Sequence, residues 1–199
     1  MTVKIAIVYY SSTGTNYKLA LAAKEAAQKQ GAEVKLFRVA ELAPEEVVAS
    51  NTAWKEHLEA TVEVPIATPD DLEWSDAILF GTPTRFGNAA SQLRQFIDTT
   101  GGLWSKGKLE NKVVSAFTST LNPHGGQEAT ILSLYTTFYH WGAIVVTPGY
   151  TDSVLFKSGG NPSDTSATVD ENGNFDTAVL EGVKVQTKRL LDVAELLHR

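Results

Sequence analysis

Residues 11–16 read SSTGTN, directly after an apolar run. Ser11, Ser12, Thr13, Thr15 and Asn16 place neutral hydroxyl and amide donors around Gly14. A loop that opens a helix adds unpaired backbone N–H groups at the positive end of the helix dipole, and such a nest suits a phosphate monoester. The loop carries neither the GxxxxGK[ST] pattern of a nucleotide triphosphatase nor the GxGxxG pattern of a dinucleotide site. That leaves a mononucleotide ending in phosphate, or a plain helix cap. Two more polar stretches follow apolar runs, TPTRFGN at 82–88 and TSTLNPHGG at 118–126. In the first, Pro83, Gly87 and Asn88 favour an extended loop whose amides face a planar ring, with Phe86 to flank it. Arg85 is the cation of that loop, available either to a bound anion or to a surface ion pair.

Several chemistries are excluded. The chain has no cysteine, so disulfides, thiolate nucleophiles and cysteine-ligated metals are absent, and redox work needs a borrowed cofactor. His57, His124, His140 and His198 show no ligand spacing such as HExxH, and no metal centre is expected. Seventeen basic against 23 acidic residues give a net charge of −6 with no basic block, which disfavours direct nucleic-acid binding. No stretch approaches the ~20 apolar residues of a membrane span, and the first residues lack the shape of a signal peptide; a cytoplasmic protein is expected.

The elements that must position these loops alternate. Residues 3–10, 33–39, 77–82, 112–119 and 143–147 read as strands, the first and third as runs buried on both faces. Residues 17–30, 89–98, 127–140 and 176–197 carry helical spacing. This predicts an α/β fold, a doubly wound parallel sheet of about five strands with helices on both faces, in one domain spanning residues 1–199. Ligands then bind at the carboxyl ends of the strands, where the three polar stretches lie. Residues 43–68 and 150–175 break the alternation; the second, rich in Gly, Ser, Asn and Asp, is either a solvated loop or an ordered insertion.

YYSSTGTN, FGTPTRFGN, TGGLW and GGQE, in this order, resemble the WrbA family of flavodoxin-like NAD(P)H:quinone oxidoreductases, over nearly the whole chain. FGTPTRFGN followed by TGGLW is the specific part; flavodoxins in general share the first loop. The resemblance implies a flavodoxin-like strand order 2-1-3-4-5, FMN as cofactor, NADH or NADPH as donor, and two-electron ping-pong reduction of quinones, with a protective role against oxidative stress. It also implies a homo-tetramer built as a dimer of dimers. The family takes its name from a reported association with the tryptophan repressor, so a flavin-binding regulatory partner is one alternative and a flavodoxin-type electron carrier another.

Matched by motif, Ser11, Ser12, Thr13, Gly14, Thr15 and Asn16 hold the FMN phosphate. Pro83, Thr84, Arg85, Phe86, Gly87 and Asn88 run along the isoalloxazine, where Arg85 would steady the negative charge of the reduced ring. Ser119, Thr120, Leu121, Asn122, His124 and Gly125 form the third flavin loop. His140 matches a histidine beside the flavin that hydrogen-bonds or protonates the quinone, and Trp104 lines the substrate pocket, across a subunit boundary, with Phe86 and Thr13. Phe86, Trp104, Tyr139 and Trp141 are expected near the flavin loops, where large apolar surfaces favour assembly. Two departures stand out: Thr13 occupies a position that is aromatic in the best-known members, and TLNPHGG replaces a glycine- or serine-rich loop.

Overall fold

A computed structural model describes residues 2–197. Strand β1 (Lys4–Tyr9) leads through the first polar loop into helix α1 (Thr15–Lys29), and β2 (Glu33–Arg38) follows. Residues 43–68 hold two short helices, α2 (Glu45–Ala49) and α3 (Thr52–Ala60), before α4 (Pro69–Trp74). Next come β3 (Ala77–Arg85), the two-residue β4 (Asn88–Ala89), α5 (Ser91–Asp98), α6 (Gly101–Trp104), β5 (Val113–Thr120) and α7 (Gln127–His140). The chain continues through β6 (Ile144–Val145), α8 (Val154–Lys157), β7 (Thr165–Thr168) and α9 (Ala178–Leu197).

The sheet runs β2-β1-β3-β5-β6, parallel throughout, with β4 folding back antiparallel on the end of β3 and β7 pairing with β5. Alternate side chains explain the two covering layers. Ile5, Ile7, Tyr9 and Leu79 face α1 and α9, whose Leu19, Ala20, Ala23, Leu190 and Leu191 close over them. Ala6, Val8, Ile78 and Phe80 face the other way, against Leu93 and Phe96 of α5 and Ile131, Leu134 and Phe138 of α7. The alanines along the buried stripe of α1 let that helix lie close to the strands.

The fifth position of the sheet is split. β6 pairs only with Val113 and Val114, and β7, 20 residues later in sequence, pairs with residues 117–120. Residues 150–175 are therefore an ordered insertion that returns a strand to the sheet edge, rather than a solvated loop. The fifth strand expected over 143–147 shortens to two residues because the second half of its lane is taken. Between the halves, Ser115 and Ala116 pair with β3 on one side but meet no strand on the other, and Gln186 of α9 fills that side. Its amide donates to Ser115 Oγ at 2.8 Å and Ala116 O at 2.6 Å, and its oxygen accepts from Thr165 N–H at 2.8 Å. On the other side of the insertion Tyr135 donates to Ser163 O at 2.6 Å. Asp164, wholly enclosed, has its carboxyl held well above the ordinary range by burial and then by Glu128, although Asn161 donates to it.

Gln186 satisfies a buried hydroxyl, a buried carbonyl and a buried amide at once. Replacing it with leucine, which keeps the approximate volume but no polar atom, removes all three bonds, at roughly 1–3 kcal/mol for each buried group left unpaired. Gln186→Leu is expected to lower unfolding stability by at least about 2 kcal/mol in urea titration. A loss within error of zero would show that water replaces the amide.

Candidate functional site

The carboxyl ends of β1, β3 and β5 stand side by side, so the loops that follow them meet at one edge of the sheet. The first loop turns at Gly14, whose φ of 96° is left-handed and favours glycine. Its N–H donates to Ser11 Oγ at 3.0 Å, closing a short turn ahead of α1. Among the described residues no backbone carbonyl accepts from the N–H groups of Ser11, Ser12 or Thr13. With the free first-turn amides of α1, these donors form an uncharged nest of the kind that binds phosphate.

The three loops are tied together through buried side chains. Asn16, at the start of α1, donates to Ser119 Oγ of β5 at 2.9 Å, and its side-chain oxygen is buried without a hydrogen-bond partner among the described residues. Thr118 Oγ1 donates to Thr82 O at 2.7 Å and lies 3.0 Å from Thr84 Oγ1, which in turn lies 3.2 Å from Thr130 Oγ1 of α7. Arg85 reaches back to the first loop, its guanidinium donating to Ser12 Oγ at 3.2 Å. The loops at 82–88 and 118–126 touch at their glycines: a Cβ on Gly126 would fall 2.8 Å from the Cα of Gly87. A Cβ on Gly125 would collide with Thr120 Oγ1. Phe86 sits at the tip of the middle loop with φ 51° and its ring wholly exposed, a strained position for an aromatic residue. Leu121, Asn122 and His124 of the third loop are exposed beside it, and Asn122 O accepts from Gln127 at 3.1 Å.

The donor set therefore fits FMN: an uncharged phosphate nest, a close-packed edge of glycine and hydroxyl side chains, an aromatic flank and one cation. It brings together Ser11, Ser12, Thr13, Gly14, Thr15, Asn16, Pro83, Thr84, Arg85, Phe86, Gly87, Asn88, Ser119, Thr120, Leu121, Asn122, His124 and Gly125. It does not bring His140 or Trp104 to them. Helix α7, capped by Gly126 against the middle loop, runs back antiparallel to the strands; its 14 residues span about 20 Å. His140 thus ends beside the amino end of β5, where Ile144 pairs with Val113. Trp104 is there too, its indole donating to His140 O at 2.9 Å. Tyr139 is exposed at that same end. Trp141, expected near the flavin loops, is instead a core residue packed on Phe80 and Phe138. The physical reason is topological: a crossover helix in a parallel sheet carries its last residues to the opposite edge from its first.

One neighbour of the first loop escaped the sequence. Residues 43–68 bring α3 over the first loop, so that His57 lies against Gly14 and Tyr17. Its only sequence signal is that the 43–68 segment is too long for a simple crossover. Glu41 fastens this segment down: it accepts from Tyr10 Oη at 2.8 Å, Trp54 Nε1 at 3.0 Å, Gln92 Nε2 at 2.7 Å and the N–H groups of Leu42 and Ala43 at 2.8 and 2.9 Å. Among the described residues no group of three or more His, Asp and Glu side chains could hold a metal ion; His198 lies outside them.

The family profile described as NADPH-dependent FMN reductase matches residues 3–153. A protein of Deinococcus radiodurans named NAD(P)H dehydrogenase (quinone) is 59% identical over 166 residues, covering 83% of each chain. One of Aromatoleum aromaticum with the same name is 42% identical over 98% of each chain. Among solved structures, a flavodoxin, WrbA-like protein from Agrobacterium tumefaciens superimposes with a TM-score of 0.68 at 21% identity, covering 98% of this chain and 99% of that one. The flavoenzyme FerB of Paracoccus denitrificans gives a TM-score of 0.60 at 13% identity, over 98% of both chains. These structural likenesses establish the flavodoxin-like fold.

Burial raises the Glu41 carboxyl, but the bonds from Ala43 N–H, Gln92, Tyr10 and Leu42 N–H outweigh it and hold the pKa below its ordinary 4.5. A depressed carboxylate contributes stability above its unfolded pKa and loses it as pH falls through the folded value. Glu41→Gln is therefore expected to lower the Tm at neutral pH, with the gap to wild type closing below about pH 4. A gap independent of pH would assign the loss to shape rather than charge.

Proposed function

The chain belongs to the NADPH-dependent FMN reductase family, and from that premise we propose that it is an FMN-dependent NAD(P)H:quinone oxidoreductase of the WrbA type. The observation that carries this reading is the meeting of three loops at the carboxyl edge of the sheet, in a chain that is 59% identical over 166 residues to a relative named for that activity. Bound FMN supplies the two-electron relay between a nicotinamide donor and a quinone acceptor.

The chain's own residues do the holding and shaping. The N–H groups and hydroxyls of residues 11–16 bind the phosphate without a formal charge. The segment from Pro83 to Asn88 lies along the ring system, where Arg85 and the loop amides favour added negative charge. Phe86 and Thr13 wall the space in which two planar substrates bind in turn, and stacking at short range provides the orientation that hydride transfer needs. No side-chain nucleophile is required. Handling electrons in pairs keeps quinones from one-electron cycling, which supports a protective role.

His140 and Trp104 enter this scheme through assembly. Lying about 20 Å from the loops in their own protomer, they reach a ring only when another copy presents them. We therefore assign them to the neighbouring site in a homo-tetramer. The imidazole then hydrogen-bonds a quinone oxygen, and the indole covers the substrate.

Anaerobic mixing of the FMN-loaded protein with NADPH or NADH, and then with benzoquinone, tests the activity: rapid bleaching followed by rapid reoxidation is expected. Slow bleaching and no quinone turnover would favour a single-electron carrier. For the assembly, sedimentation is expected to give four copies, and Trp104→Ala to raise the KM for benzoquinone about tenfold, equivalent to ~1.4 kcal/mol of aromatic contact. An active monomer with an unaltered variant would remove both residues from the site.

A further inference from the structure

His57 stands against the turn of the first loop, on an element outside the three loops. A Cβ built on Gly14 would lie 3.5 Å from its Nδ1, 3.9 Å from Cε1 and 4.0 Å from Cγ, so the Nδ1 edge of the ring faces the turn of the first loop. The imidazole is braced by Tyr17, with ring centroids 5.6 Å apart and planes at 51°, and α3 holds it there through the Trp54–Glu41 bond. Neither ring nitrogen makes a hydrogen bond to the described residues.

The surroundings keep the ring neutral. Burial first, and then the Arg38 guanidinium, push its pKa below the ordinary 6.5. The other titratable groups facing it are Tyr17 of α1, Tyr9 and Tyr10 at the end of β1, and Glu41 after β2. Arg38 itself is occupied, its Nε donating to Val64 O at 3.0 Å. Residues 11–16 carry no formal charge, so a bound phosphate dianion is the one new charge this neighbourhood would receive. An opposite charge within about 4–6 Å favours the ionised form by roughly ten- to a thousandfold.

We propose that His57 is a further ligand of the FMN phosphate, contributed by α3, and that it takes up one proton from solvent as the phosphate binds. This rests on the FMN reading above. The sign follows from linkage: a group whose pKa rises on binding strengthens binding below the raised value and adds little above it. The phosphate's own second ionisation, near pH 6, weakens FMN binding at low pH in any variant, so the informative quantity is the affinity ratio between variant and wild type.

The experiment titrates FMN and riboflavin into the full chain, wild type and His57→Asn, between about pH 5.5 and 8.5. For FMN, the ratio of Kd values is expected to reach about tenfold near pH 6 and to fall to about twofold above pH 8. For riboflavin, which lacks the phosphate, it should stay near one throughout. Calorimetry of the wild type at about pH 7.5, where free FMN is already largely the phosphate dianion, in two buffers of different ionisation enthalpy is expected to show net proton uptake with FMN and none with riboflavin. Equal weakening of FMN and riboflavin, a ratio flat with pH, or no proton uptake on FMN binding would overturn the assignment. If His57→Asn does not fold, His57→Gln and the wild-type calorimetry decide. A wild-type chain that binds neither flavin would overturn the FMN reading itself, whereas tight FMN binding without proton uptake would remove only His57.

Discussion

Parallel strands can be joined only by crossovers, and that constraint shapes everything at the functional edge. β1, β3 and β5 run the same way and lie next to one another, so the loops leaving them must emerge together. Three segments spread over more than a hundred residues of sequence thus converge without any of them encoding the others. The buried bond from Asn16 to Ser119, at 2.9 Å, closes this arrangement across the sheet. The hydroxyls of Thr84, Thr118 and Thr130, with the backbone carbonyl of Thr82, then align the middle loop, β5 and the start of α7.

The same constraint sends other residues away. Each helix that starts at the functional edge ends at the opposite one, which is why α7 carries Thr130 to the loops and His140 away from them. Trp104 and His140 lie together at that far edge, bonded to each other, with Tyr139 exposed beside them. A site that needs those side chains has to borrow them from another copy of the chain.

Polar side chains serve as structural substitutes where the backbone ladder is interrupted. Gln186 occupies the gap between β6 and β7 and supplies the bonds that a continuous fifth strand would have made. Glu41 does comparable work for residues 43–68, gathering five donors so that α3 and His57 come to rest against the first loop. Both are buried or half-buried polar groups satisfied on every side, the condition under which such groups hold a single conformation rather than weaken the fold.

Local order was legible in the residues themselves. The apolar runs at 3–10, 77–82 and 112–119 appear as β1, β3 and β5, and the helical spacing at 127–140 matches α7 to the residue. SSTGTN, TPTRFGN and TSTLNPHGG were found because short-range chemistry dictates them: turn residues, glycine at positive φ, and donors ahead of a helix are properties of neighbours in the chain. The split fifth lane, the core position of Trp141, the far-edge position of Trp104 and His140, and the placement of His57 were decided only by the tertiary structure. Each depends on pairings between residues distant in sequence, and no local period records which strand will fill a gap or which helix face a loop will meet.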